Sequence, residues 1–73
     1  MDLVIMTPDK KLFEGEVKSV YIPGIGILNR HAPLISSIKS GDIRIDGEGG
    51  KQSFPVNGGV IEVLNNKVVI LAE

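Results

Sequence analysis

Apolar residues in this chain come in short runs separated by turn-forming residues, and no segment keeps a 3.6-residue apolar period over several turns. Leu3 to Met6 is closed by Thr7-Pro8, and the β-branched run from Val17 to Ile22 is closed by Pro23-Gly24. Both have the length and punctuation of strands. Ile25 to Leu28 and Leu34 to Lys39 are further candidates, the second bounded by Pro33 and by the turn chemistry of Ser40-Gly41-Asp42. Asp42 to Asp46 alternates apolar Ile43 and Ile45 with Asp42, Arg44 and Asp46, which predicts a strand with one wet face.

Gly47-Glu48-Gly49-Gly50 predicts a hairpin loop, since glycine reaches the positive φ angles that a tight reversal needs. Lys51 to Val56 returns, Asn57-Gly58-Gly59 predicts a turn, Val60 to Leu64 follows, Asn65-Asn66 turns again, and Lys67 to Ala72 is the last run. Roughly eight short strands at this spacing point to an all-β domain, a sandwich or small barrel. The first run, the Val60 run and the last run are apolar in both phases: Val69 and Leu71 point one way, Val68 and Ile70 the other. An antiparallel sandwich buries one face of each sheet. Two readings follow. Either these strands are central or cross a corner where both faces are covered, or one face is an apolar patch kept for a partner.

Composition narrows the function classes. Seventy-three residues without cysteine give one domain, residues 1–73, with one small core and no disulfides, which suits a reducing compartment. Nine acidic and eight basic residues leave no basic block that could neutralise a run of phosphates, so nucleic acid is not an expected partner. The apolar run near the N-terminus is too short for a signal sequence or a membrane span. Any membrane link is then expected to run through another protein.

Candidate chemistry is sparse. His31 is the single histidine, and without cysteine it would need scattered carboxylates to hold a transition metal. Ser36 and Ser37 lie near it in sequence, yet no nucleophile elbow surrounds them. A hydrolytic reading would rest only on His31, Ser36 and Asp42. A loop hydrogen bond or a partner contact is the simpler role for His31. Gly24-Ile25-Gly26 lacks the third glycine of a dinucleotide fingerprint and no helix follows to receive a phosphate, so it reads as a turn. Asp42, Asp46 and Glu48 do not have the spacing of a calcium loop. No cofactor, metal or catalytic residue is expected.

Four ordered blocks add a further signal: Thr7-Pro8-Asp9-Lys10-Lys11-Leu12-Phe13-Glu14-Gly15-Glu16-Val17, Gly26-Ile27-Leu28-Asn29-Arg30-His31-Ala32-Pro33-Leu34, Ser53-Phe54-Pro55-Val56-Asn57-Gly58-Gly59-Val60-Ile61-Glu62-Val63, and Asn66-Lys67-Val68-Val69-Ile70-Leu71-Ala72-Glu73. Together they resemble the N-terminal domain of the epsilon subunit of the rotary proton-translocating ATP synthase. The resemblance implies a small flattened antiparallel β-sandwich of about eight to ten short strands. It implies a non-catalytic rotor subunit of the central stalk, peripheral at the cytoplasmic face of the bacterial inner membrane. Such a subunit binds gamma on one side and rests on the c-ring, passing proton-driven rotation to ATP synthesis. Carried over by residue, the partner-binding positions are Pro23 and Gly24 towards the ring, Asn29, Arg30, His31, Ala32 and Leu34 at the gamma and ring junction, and Ser36 near gamma. Two departures stand out. The family's longer acidic loop after the Pro-Gly turn is shortened here, where Pro23-Gly24-Ile25-Gly26-Ile27-Leu28 runs straight through. The two-helix C-terminal domain usual in the family does not follow Glu73 in this sequence. These departures leave a second reading, a stand-alone β-sandwich adaptor without rotary partners.

Overall fold

A computed structural model describes residues 1–28 and 33–73. It contains six strands: β1 (Asp2–Met6), β2 (Lys11–Ile22), β3 (Gly26–Leu28), β4 (Leu34–Gly47), β5 (Gly50–Leu64) and β6 (Lys67–Ala72). The all-β class expected from the apolar pattern is present, but the strands are fewer and longer than eight to ten. Their order is β1-β6-β5-β4-β2-β3, and β1 also pairs with β2, so the ladder returns on itself. The pairing is not wholly antiparallel. β1 and β6 run parallel, from Asp2↔Lys67 to Met6↔Leu71. A parallel pair needs a long connection between its members, and here almost the whole chain supplies it.

The strand count falls because β4 and β5 run through two segments with turn chemistry. Their register is constant from Leu34↔Val63 to Gly47↔Gly50. Their inward phase is not. On β4 it passes from Leu34, Ser36 and Ile38 to Ile43 and Ile45, and on β5 from Phe54 and Val56 to Ile61 and Val63. Two strands that stay paired while exchanging faces have turned a corner together, from one layer into the other. Gly41, Gly58 and Gly59 stand at that corner with φ of 151°, 109° and 147°. A Cβ on Gly59 would lie 2.2 Å from the carbonyl oxygen of Leu71, closer than any side chain permits. These glycines therefore serve a bend and close backbone approach rather than a reversal. β2 changes layer at a register shift between Val17 and Ser19, where its buried positions pass from Val17 to Val20 and Ile22.

The chain does reverse between β4 and β5 and between β5 and β6, as it does between β1 and β2 and between β2 and β3. Gly47 pairs with Gly50 across Glu48-Gly49, and Gly50 has φ 97°. Leu64 pairs with Lys67 across Asn65 and Asn66, which have φ of 51° and 66°. Two successive positive φ angles match the right-handed twist of the flanking strands, which is why asparagine recurs in such turns.

Leu3, Ile5, Val20, Ile22, Ile43, Ile61, Val68 and Ile70 fill the space between the layers and are fully buried. Phe13 on β2 meets Phe54 on β5 with ring centroids 5.9 Å apart, bridging the layers where β2 and β5 are not paired. Among the described residues no polar or charged side chain is buried. Each large aliphatic residue in this core contributes about 1.5–3 kcal/mol through removal from water, so the closed ladder is held mainly by apolar packing.

Candidate partner interfaces

The two readings of the doubly apolar strands divide by strand. In β1, Leu3, Val4 and Ile5 are all buried, so both faces are covered. In β5 and β6 one face stays bare. Register places two rows side by side: Ile35, Glu62 and Val69 in one, which runs on into buried Val4, and Ser37, Val60, Leu71 and Met6 in the other. Ile35 is 73 % exposed, Leu71 51 % and Val60 45 %, while Glu62 is the single charge in the two rows. Water gains little from such a surface, and a protein partner that covers it gains the burial.

The residues expected at the interface fall into three groups. Asn29, Arg30, His31 and Ala32 lie outside the described residues. Leu34 and Ser36 share one phase, as their spacing predicts, but that phase continues into buried Ile38 and both are half-buried. The Ser36 hydroxyl donates to the Ser37 carbonyl oxygen at 3.0 Å. Pro23 is buried and Gly24 exposed in the turn after β2. That turn is braced by Ile25 N–H donating to the Ile22 carbonyl and Lys39 N–H donating to the Pro23 carbonyl, both at 3.0 Å. Pro23 and Gly24 thus sit on the corner of β4, while Leu34 and Ser36 lie along the strand before it.

Ile35, between Leu34 and Ser36, is the outward residue that motif-based reasoning passed over. Val60 and Leu71 join it. The signal was the two-phase apolar pattern of β5 and β6, which becomes a surface only when the register sets the strands side by side.

Electrostatics gives no catalytic constellation among the described residues. No group of three histidine, cysteine or carboxylate side chains there could hold a metal ion. Asp42 and Asp46 stand outward on β4 with Arg44 between them, as the alternation predicts. At the edge of β1 the Met1 α-amino group donates to Glu16 Oε1 and to the Val17 carbonyl, each at 3.0 Å. Glu16 also shares a hydrogen bond with Asp2, which holds the Glu16 carboxyl below its usual range, helped by the α-amino group. The same shared bond and the charge of Glu16 push Asp2 up. This cluster pins β1 to β2, and its two carboxylates are open to solvent.

Comparison with known proteins adds three findings. A family model described as "ATP synthase, Delta/Epsilon chain, beta-sandwich domain" matches residues 1–73. The chain is 42 % identical over 76 residues to the ATP synthase epsilon chain of Chlorobium limicola, covering 97 % of this chain and 86 % of that one. It is 43 % identical over 74 residues to the ATP synthase epsilon chain of Pelotomaculum thermopropionicum, covering 96 % of this chain and 55 % of the relative. In fold it is similar to a chain in the cryo-EM structure of the Euglena gracilis mitochondrial ATP synthase, OSCP/F1/c-ring in rotational state 1. That match has a TM-score of 0.80 at 22 % identity and covers 96 % of this chain and 48 % of that chain.

Proposed function

Because the chain belongs to the ATP synthase delta/epsilon β-sandwich family, whose epsilon chain is a non-catalytic subunit of the synthase, we propose that it couples rotation within the central stalk by binding gamma and the c-ring. The bare apolar face of Ile35, Val60 and Leu71 carries this reading. It is built on paired strands and nearly free of charge, and its charge depletion is that of the desolvated centre of a stable interface. Gamma is the partner assigned to it. The Pro23-Gly24 turn is assigned to the ring and the Asn29 to Ala32 segment to the gamma and ring junction, on the cytoplasmic side of the bacterial plasma membrane.

Transmission of torque requires a body that does not shear between its two contacts. Strands that pass from one layer into the other meet that demand, because β2, β4 and β5 each run through both layers of one closed sheet and the layers cannot slide without breaking a ladder. The protein's work is thus mechanical, and the bonds of ATP are made elsewhere in the complex.

Co-purification of the untagged chain with tagged gamma from the same organism, followed by size exclusion in moderate salt, tests the proposal. A one-to-one complex is expected, abolished by Val60→Lys with unchanged circular dichroism. A folded chain that elutes alone would overturn it in favour of an adaptor with other partners.

A further inference from the structure

The second outer face lies across β3, β2, β4 and β5 and is built differently. One cross-strand row places Ile27, Tyr21, Arg44 and Ser53 side by side. Ile27 is 68 % exposed. The Arg44 guanidinium carbon sits 5.2 Å from the centre of the Tyr21 ring. Asp42 and Asp46 flank Arg44 on the same outward phase, yet among the described residues neither forms a salt bridge with it, and Arg44 donates no hydrogen bond. The ring therefore holds the guanidinium in place while its planar donor fork stays uncommitted.

Tyr21 and Arg44 form a ridge between two shallow grooves. One is lined by Ser19, Ile27, Lys51 and Ser53, the other by Pro23, Lys39 and Ser40. The Lys39 stem crosses the second, since a Cβ on Gly24 would come 2.8 Å from Lys39 Cγ. The face carries three cations, Lys39, Arg44 and Lys51, against two carboxylates, Asp42 and Asp46, a net of +1 on a chain whose formal net charge is -1. Tyrosine, arginine and an exposed aliphatic residue in one row is the composition of an interface anchor. The openness of both grooves suits a protein surface better than a small anion.

We propose that this ridge is a second docking site of the chain, taking a protein segment in which an aspartate or glutamate stands beside an apolar residue. The carboxylate meets the Arg44 fork in a bidentate pair, and the apolar neighbour covers Ile27 and the Tyr21 ring edge. The segment belongs to the assembly in which the chain works, so the inference rests on the stalk reading for its setting, but not for its chemistry.

The test introduces a benzophenone-bearing amino acid at Ser53, and separately at Val60, in the intact synthase, with crosslinked peptides mapped by mass spectrometry. At Ser53 an adduct is expected on a segment that contains Asp or Glu, with yield falling about tenfold under Arg44→Gln, as loss of a charge-assisted contact predicts. No adduct, an adduct on a segment without a carboxylate, or a yield indifferent to Arg44→Gln would each overturn the proposal. The Val60 adduct reports on gamma separately. Its presence with a silent Ser53 would leave the stalk reading intact and sink only the second site, whereas its absence would count against the stalk reading itself.

Discussion

The two outer faces of this small domain use the same ladder to opposite ends. Around Val60 and Leu71 the outward positions of β5 and β6 are aliphatic, and the surface offers area without direction. Around Tyr21 and Arg44 an aromatic on β2 stands beside three charges on β4, Asp42, Arg44 and Asp46, and the surface offers direction with little area. Apolar burial is indifferent to orientation, whereas a bidentate pair is satisfied in one pose. A rotor part needs a strong grip on one neighbour and a defined angle to another. The contrast between the faces fits that division of labour.

The most severe way to break the contrast is to destroy the corner that both faces share. Gly59→Ala sets a methyl group against the Leu71 carbonyl and is expected to cost more than about 3 kcal/mol, out of a total of about 5–15 for a domain. Thermal melting would show it, and wild-type melting would mean that the corner relaxes freely. Ile43→Asp should be nearly as damaging, because it places a charge without a partner among fully buried aliphatic residues.

Next comes Val60→Lys. A charge in the apolar rows should weaken gamma binding by about 100-fold, a loss typical of an interface anchor, with a melting temperature within about 3 °C of wild type because the site is outward. Titration by isothermal calorimetry would check it, and undiminished affinity would move gamma off this face. Ser36→Lys sharpens the assignment: Ser36 shares the inward phase of Ile38, so it should disturb β4 packing as well as assembly, whereas His31→Ala should weaken assembly alone.

The smallest effect belongs to the solvated cluster on β1. The Glu16 carboxyl is held below its usual range in the folded chain, so its stabilising contribution is present above the ordinary glutamate range and is lost as pH falls through the lowered folded value. Asp2 is shifted the other way, and loses stability as pH rises through its raised value, so the two partly cancel. Glu16→Gln should flatten the acid side of the stability profile measured by denaturant melts, while leaving both faces unchanged. A variant profile as steep as wild type would show that the N-terminal pairing is unimportant.

Much of the fold was legible in the sequence. The alternation from Asp42 to Asp46, the Gly47 to Gly50 hairpin and the Asn65-Asn66 turn stand as the pattern predicts. Ser40-Gly41-Asp42 and Asn57-Gly58-Gly59 misled, because a glycine with positive φ serves a bend as readily as a reversal. What separates the two is the phase switch from Ile38 to Ile43, matched by that from Val56 to Ile61, and it acquires meaning only when the two strands are paired. The parallel alignment of β1 with β6 leaves no local trace at all, since its partners stand at opposite ends of the sequence. The interface was half legible. The motif around His31 leads on to β4, where the outward residue is Ile35 rather than Leu34 or Ser36, and Tyr21 with Arg44 carried no recognisable motif.

The closed ladder also sets the order in which the protein can be made. Of the six strands β1 is made before the others, yet one of its two edges is sealed only by β6, the last of the six in sequence. Until residue 72 has emerged, β1 keeps a bare hydrogen-bonding edge beside Leu3, Val4 and Ile5, the kind of strand that nascent chains aggregate through. A chaperone that binds short apolar segments would have its target at the first strand of the domain, and would hold it until the sixth is made.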